Sequence, residues 1–134
     1  MSYVDTVGSI YQMFGSGDVP GILELIADDV AWEAWENNSA QAAGVPSMQV
    51  RHGKAGVADF FEVAGSMTIT DFQVLNLMGG GNEVAATIVI ESGVPGGGTY
   101  RDEEIHLWTF NDDGKVCRLR HYIDTAKHIA AWQL

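Results

Sequence analysis

The hydrophobic periodicity of this chain changes near Thr68, and that change constrains the fold more than any other feature. Before it, apolar residues recur at the spacing of an amphipathic helix. In the first segment these are Val4, Val7, Tyr11 and Phe14. After it, stretches rich in β-branched and aromatic residues alternate with turns rich in glycine, which is typical of antiparallel strands. Helices followed by strands predict an α+β fold with the helices packed on one face of a curved antiparallel sheet.

The same patterns predict the order of elements within a single domain spanning 1–134, a length that rarely divides. Asp18 is a good N-cap residue for the second helix, and Asp124 or Thr125 is expected to cap the last. We expect helices over 3–14, 19–29 and 53–67, a strand over 30–36 and a loop over 37–50. Four antiparallel strands are expected between 68 and 122, the last two over 100–110 and 116–122, followed by a closing helix over 125–134.

The charge of the chain limits its partners. There are 18 acidic and 7 basic side chains, which give a formal net charge of −11. Such a chain repels phosphate backbones and anionic lipids, so we expect neither nucleic acid nor a membrane as a partner. The first residues lack a basic region followed by an apolar run, and Cys117 has no second cysteine to pair with. These features favour a soluble, cytoplasmic protein.

Three stretches carry a family resemblance, in this order: FGSGDVPGILELIADDVAWE, HGKAGVADFF and IHLWTFNDDGKVCRLRHYIDT. They resemble the SnoaL-like branch of the NTF2-like superfamily, and the resemblance extends over nearly the whole chain. It implies a cone-shaped α+β fold whose bent sheet encloses a pocket closed by helices, and a homodimer formed through the outer sheet face. The superfamily includes polyketide cyclases, ketosteroid isomerases, epoxide hydrolases, dehydratases and members without catalysis, so the fold alone leaves the activity open.

Two enzyme classes of this superfamily match poorly. The aspartate base of ketosteroid isomerases falls at Ala34, and their oxyanion tyrosine falls at Ile10, with Tyr11 expected to point elsewhere; only His106 occupies a functional position. In epoxide hydrolases, the arginine that activates the epoxide oxygen falls at Val89. Glu91 and Asp124 could supply the carboxylates of that class, but without the arginine its mechanism is disfavoured.

The SnoaL-type cyclases match best. Their acid/base aspartate at the end of the last strand corresponds to Asp124, and His106 can supply the assisting histidine. The resemblance thus implies a cofactor-free isomerase, cyclase or dehydratase that moves protons on a hydrophobic, carbonyl-bearing small molecule. Asp124 would be the acid/base, and His106 would stabilise oxyanion charge or relay the proton. The residues expected to bind the substrate are Trp32, His52, Phe60, Trp108 and Tyr122.

Other interpretations of the same residues stay open. Asp124 could simply cap the last helix, which contributes about 1 kcal/mol. The whole domain could be a non-catalytic module that binds an apolar ligand or a protein partner. The sequence contains no HExxH, CxxC or carboxylate-rich loop, so we expect no metal and no cofactor.

The register of the last hairpin decides which polar groups enter the pocket. A two-residue turn at 113–114 would place His106 opposite His121, whereas a loop one residue longer would place it opposite Arg120. Arg118 and Arg120 share a strand face with Tyr122. We expect these arginines on the solvated outer face, paired with acidic residues at 102–104.

Overall fold

Helices come first and strands last along the chain, as the periodicity predicts. The computed structural model describes residues 2–33 and 35–133, and it confirms an α+β fold. Its elements are α1 (Tyr3–Ser16), α2 (Val19–Glu24), β1 (Ile26–Trp32), α3 (Ser39–Ala42), a 3₁₀ turn (Pro46–Met48), β2 (Arg51–His52), α4 (Gly53–Gly65), β3 (Thr68–Gly80), β4 (Glu83–Gly93), β5 (Thr99–Phe110), β6 (Val116–Tyr122) and α5 (Thr125–Trp132). The helices within the described residues are all too short or too polar to cross a membrane.

The strands form one curved six-stranded sheet that does not close, in the order β2-β1-β6-β5-β4-β3. β1 pairs parallel with β6, and the other neighbours pair antiparallel. Helices α1 and α4 cover the inner face of this sheet, and the main core lies between them. Its fully buried members include Val7, Val57, Val84, Val116 and Leu119.

The predicted second helix is too long. Asp18 caps it as expected, because its carboxylate accepts a hydrogen bond from the Gly21 backbone N–H at 3.0 Å. The helix ends at Glu24, however, and strand β1 begins at Ile26. Ile26 pairs with Val116 on β6, about ninety positions further along the chain. This distant pairing overrides the local helical pattern. The predicted 37–50 loop contains α3 and the 3₁₀ turn.

Two irregularities shape the edge strand β3. Its register with β4 shifts between Ile69 and Asp71 and again between Val74 and Asn76. Each shift inserts one residue, which bends the strand and reverses the alternation of faces. Ile69 and Phe72 are three positions apart, so a regular strand would place them on opposite faces. Because of the first bulge, both line the same interior cavity.

The hairpin of β5 and β6 reaches the first of the two predicted registers by a different route. Its turn is one residue longer than 113–114, with the Asn111 N–H bonded to the Lys115 carbonyl, and a bulge between Thr109 and Phe110 compensates. His106 lies opposite His121, and Leu107 lies opposite Arg120. The turn needs a left-handed residue, which Gly114 supplies with a φ of 75°. Along β5 the even-numbered side chains are buried: Tyr100, Asp102, Glu104, His106, Trp108 and Phe110. The inner face of this strand is therefore unusually polar.

Candidate functional site

The helices and the curved sheet enclose a cavity of about 100 Å³. Most of its wall is aromatic or aliphatic, with rings from Phe14, Trp32, Phe60, Phe61, Phe72 and Trp108. Its polar groups come from α1, α5 and the inner face of the last hairpin: Tyr11, Glu104, His106, His121 and His128. An apolar chamber with a few convergent polar groups is the usual form of a small-molecule site.

A directional chain of hydrogen bonds runs through these polar groups. Trp108 Nε1–H donates to the Tyr11 hydroxyl oxygen at 3.1 Å, and the Tyr11 hydroxyl lies 2.7 Å from His106 Nδ1. The other imidazole nitrogen, Nε2, lies 2.9 Å from Glu104 Oε1. Because indole can only donate, one arrangement of protons satisfies every member: Tyr11 O–H donates to Nδ1, and Nε2–H donates to Glu104.

A second imidazole extends the chain to the closing helix. His128 Nε2 lies 3.1 Å from Glu104 Oε2 and 2.9 Å from Asp102 Oδ2. The same Asp102 oxygen also accepts the backbone N–H of Asp124 at 3.1 Å. Glu104 therefore lies between two imidazoles, and its side chain is only 7% exposed.

Four of the seven predicted site residues line the cavity. His106, Trp32, Phe60 and Trp108 all contribute to its wall. Trp32 packs against Phe60 and Trp108 with ring centroids 5.4 and 5.8 Å apart. The structure thus brings together the predicted histidine and three of the four aromatic side chains that were predicted to bind the substrate.

Asp124 does not line the cavity, and its predicted pocket placement is wrong. The residue is exposed, and its carboxylate accepts a hydrogen bond from the backbone N–H of Lys127. This is the N-cap geometry of α5. The alternative interpretation, a helix cap, describes its position.

Two further pocket predictions are wrong for reasons of strand geometry. Tyr122 shares the outer face of β6 with the arginines, and its ring stacks on Trp35 at 5.1 Å. His52 is exposed at the end of the short strand β2, next to the start of α4. Neither contributes to the cavity wall. Ala34 lies outside the described residues.

Tyr11 is the reverse case, a residue that lies in the site although it was not predicted to. We expected its side chain to point away from the site, yet its hydroxyl contacts both His106 and Trp108 inside the cavity. Ile10, the matched position, is instead a buried core residue that also touches the cavity.

The model of the SnoaL-like domain family matches residues 7–119, which is most of the chain. The chain belongs to the SnoaL-like domain family. No curated protein matches this SnoaL-like domain in sequence.

Solved structures share the fold over almost the full length. An NTF2-like protein of unknown function from Burkholderia pseudomallei has a TM-score of 0.80 at 22% identity, with 98% of each chain covered. TerC, co-crystallized with polyporic acid, has a TM-score of 0.78 at 24% identity, also with 98% of each chain covered. RV0760c from Mycobacterium tuberculosis, in complex with estradiol-17β-hemisuccinate, has a TM-score of 0.73 at 23% identity and covers 91% of this chain and 94% of its own. The SnoaL-like domain thus has neighbours that bind small molecules.

Burial and charge act against each other in the polar groups of this SnoaL-like domain. Burial alone would raise the pKa of Glu104, but hydrogen bonds from His106 and His128 outweigh it and hold that pKa below its ordinary value. Burial alone would lower the pKa of His128, but hydrogen bonds and charges from Glu104 and Asp102 raise it above its ordinary value. Glu104 is therefore the fixed negative charge of the site, and His128 holds a proton beside it.

The pKa values of His121 and Tyr11 are shifted in opposite directions. Burial, together with the adjacent His106 ring 4.7 Å away, lowers the pKa of His121 to about 3, so this imidazole stays neutral. Burial raises the pKa of Tyr11 in spite of the Trp108 hydrogen bond, so its hydroxyl keeps its proton and acts as a donor. Burial also raises the pKa of Asp102, against the hydrogen bonds from His128 and the Asp124 N–H.

Three side chains of the SnoaL-like domain offer donor atoms that could hold a metal ion. One atom each from Asp102, Glu104 and His128 lies within 4.8 Å of the others. His128 Nε2 already contacts both carboxylates at hydrogen-bond distance. A cation would therefore have to displace the Nε2 proton that bridges them.

The prediction from sequence missed Tyr11, Asp102, Glu104 and His128. A signal for two of them was present: Asp102 and Glu104 have the same strand parity as His106, so an inward His106 brings both inward. We instead expected them to pair with the arginines on the outer face. Arg118 and Arg120 do lie on that face, but their partners are Glu33 at 3.0 Å and Glu83 at 3.3 Å.

Proposed function

We propose that this SnoaL-like domain is a cofactor-free acid–base enzyme that transfers protons on a small, hydrophobic, carbonyl-bearing molecule. One observation carries the proposal: a tyrosine hydroxyl, an imidazole and a buried carboxylate form a hydrogen-bonded series in the wall of an apolar cavity. A carboxylate behind an imidazole orients the ring and stabilises its charged form.

The Tyr11–His106 contact is where we place the reacting atoms. The two groups satisfy each other at 2.7 Å. A substrate carbonyl that entered between them would accept the Tyr11 O–H and free His106 Nδ1 to accept a proton. The C–H bond next to the carbonyl would break, its electron pair would move to oxygen as an enolate, and the new N–H bond would form on His106.

The surrounding groups suit these two roles. Glu104, ionised on the opposite side of the ring, stabilises the imidazolium that forms. Trp108 donates to the Tyr11 oxygen and strengthens that hydroxyl as a donor toward the enolate. The proton on His106 can then return to another carbon, which is isomerisation, or leave with a hydroxyl group, which is dehydration.

The neighbours and the unpaired groups of the cavity support a polar ligand with an apolar body. TerC and RV0760c have been crystallised with polyporic acid and estradiol-17β-hemisuccinate. Among the described residues, Trp32 Nε1, Ser47 Oγ and His128 Nδ1 are buried without a hydrogen-bond partner, and all three residues line the cavity. A buried unpaired polar atom costs about 1–3 kcal/mol, so a ligand oxygen that reached one of them would bind favourably.

The test is the exchange of α-protons for deuterium in aromatic ketones, followed by ¹H NMR in D₂O, with acetophenone as the smallest compound. We expect the wild type to accelerate exchange and His106→Gln to abolish the acceleration. Tyr11→Phe should slow exchange by roughly 10²–10³-fold, the usual effect of removing an oxyanion donor. Tyr122→Phe on the outer face is the matched control and should leave the rate unchanged. Equal exchange in the wild type and His106→Gln would refute the mechanism.

A second candidate function is ligand binding without a reaction. It is favoured by the saturation of the polar series, since Trp108, Tyr11, His106 and Glu104 already satisfy one another. In that case the same ketones would shift the unfolding midpoint of the protein but would exchange no faster than in buffer.

We also propose that the chain forms a homodimer through the outer sheet face. Ile105, near the centre of that face, is 47% exposed, and Leu107 beside it is half-buried. Ile105→Glu should convert a dimer into a monomer in light scattering coupled to gel filtration. A wild type that elutes as a monomer would rule this out.

A further inference from the structure

A groove of about 580 Å³ lies between α1 and β3, next to the cavity. Four residues line both spaces: Tyr11 and Phe14 from α1, and Ile69 and Phe72 from β3. Beyond these residues the groove is lined by Val74 of β3 and by Gly8 and Gly15 of α1. The two spaces therefore share a wall to which four side chains contribute.

The partition consists of three aromatic rings in loose contact. Phe14 and Phe72 have ring centroids 5.3 Å apart at an angle of 58°, and Tyr11 lies 5.9 Å from Phe72. All three side chains are only partly buried. Phe14 and Phe72 have no side-chain hydrogen bond to break, so their rings can rotate apart without unfolding while Tyr11 stays bonded to His106 and Trp108, and this opens the partition when a ligand enters.

The size of the cavity makes such an opening necessary for most ligands. At about 100 Å³ it is smaller than the roughly 150 Å³ cavity that accommodates one benzene ring. A ligand with its carbonyl at Tyr11 and His106 must therefore extend beyond the cavity, by part of a ring for acetophenone and by more for each atom added opposite the carbonyl. The groove is adjacent, larger and mostly apolar along Ile69, Phe72 and Val74.

We infer that the groove between α1 and β3 is a second compartment of the ligand site and takes the apolar extension of an elongated ligand. The placement of the ligand's carbonyl end at Tyr11 and His106 rests on the proposed function. The role of the groove is tested separately, by varying only the apolar substituent of the ligand. The occupant is thus an aryl ketone or similar molecule with an apolar substituent opposite the carbonyl.

Gly15 offers a way to fill the groove without damaging the fold. It lies on the groove side of α1, and a Cβ added there would meet no atom within 4 Å. Leucine and alanine both favour a helix over glycine, so neither replacement should unfold the protein. Gly15→Leu would fill the groove, Gly15→Ala would leave most of it open, and Ser16→Leu would add the same side chain one position outside it.

The experiment measures dissociation constants for acetophenone and its 4′-ethyl, 4′-propyl and 4′-butyl derivatives by calorimetry. In the wild type each added methylene should tighten binding by up to about fourfold, the value for full burial. Gly15→Leu should weaken acetophenone binding least and should lose the gain with length, whereas Gly15→Ala and Ser16→Leu should keep that gain.

The outcomes separate the two proposals. A gain with length that survives in Gly15→Leu, or is absent from the wild type, overturns the compartment while acetophenone exchange still tests the enzyme. Binding of the longer ketones with a normal length effect but no dependence on His106 overturns the proposed function and leaves the compartment standing. If no compound in the series binds, or if Gly15→Leu changes the oligomeric state instead, the compartment is wrong, and in the latter case a second copy of the chain occupies the groove.

Discussion

The two faces of the last hairpin carry similar chemistry in opposite surroundings. On the outer face, Arg120 pairs with Glu83 at 3.3 Å, with side chains 23% and 41% exposed. On the inner face, His106 pairs with Glu104 at 2.9 Å, with side chains 9% and 7% exposed. Arg120 on β6 reaches across β5 to Glu83 on β4, whereas His106 and Glu104 lie two positions apart on β5. The outer pair is in contact with solvent, and the inner pair is almost completely shielded from it.

That difference determines what each pair can do. Water and salt screen the outer pair, so it contributes at most about 1 kcal/mol to stability. On the inner face Glu104 is desolvated, yet hydrogen bonds from His106 and His128 lower its pKa, and Glu104 and Asp102 in turn raise the pKa of His128 against the effect of burial. Burial of acidic groups and imidazoles costs solvation free energy. Because these groups are buried next to one another, their proton affinities also differ from group to group.

The largest expected effect comes from neutralising the inner carboxylate. Glu104→Gln keeps the side-chain shape but removes the charge that lies between His106 and His128. We expect it to lower the free energy of unfolding by about 3–5 kcal/mol, the usual result of removing one partner of a buried pair. Urea denaturation at neutral pH measures this loss.

The matched outer change is Glu83→Gln, which removes the charge that Arg120 contacts. Its expected cost is below about 1 kcal/mol, because the outer pair is screened. Similar losses in the two variants would show that the two faces do not differ in the way we describe.

A smaller effect is a pH dependence specific to the inner face. His128 has a folded-state pKa above its ordinary value of 6.5. Its stabilisation is therefore fully present below pH 6.5 and is lost as the pH rises through the raised pKa. The difference in unfolding free energy between the wild type and His128→Gln should shrink above pH 6.5, by at most about 1.4 kcal/mol per pH unit.

Arg120→Gln is the outer-face control for this titration. Arginine keeps its charge throughout this pH range, so the stability difference between that variant and the wild type should stay constant. A constant difference for His128→Gln as well would mean that His128 does not hold an extra proton in the folded state.

The sequence was sufficient to predict the longer helices, the long strands and the register alternatives, because those depend on local periodicity, but it did not predict the short elements α3 and β2. The strand Val116–Tyr122 has the predicted bounds, and β1 does not, since its first residue is set by a parallel partner far along the chain. The local sequence pattern cannot predict a pairing between residues so far apart in the chain.

The site was predictable only in part, for a related reason. Strand parity carries information about faces, so His106 could have led to Asp102 and Glu104. The direction of Tyr11 depends on the rotation of α1 over the sheet, and the contact of His128 with Glu104 depends on how α5 docks. Neither is encoded within a single element, and the resemblance led to Asp124 instead, a residue at the junction of β6 and α5 that lies outside the cavity.

The smallest expected effect tests that junction. Asp124→Ala removes the N-cap of α5 and should cost about 1 kcal/mol in urea denaturation without changing ketone exchange. Asp124→Asn should change neither, since asparagine caps helices equally well and the backbone N–H that Asp102 accepts is retained. If Asp124→Asn kept its stability and lost exchange, the carboxylate itself would be needed for the reaction. Asp124 would then have the acid/base role that the resemblance implies. At the end of the hairpin, a residue outside the cavity would take part in the reaction, and the contrast between a reactive inner face and a purely structural outer face would not hold there.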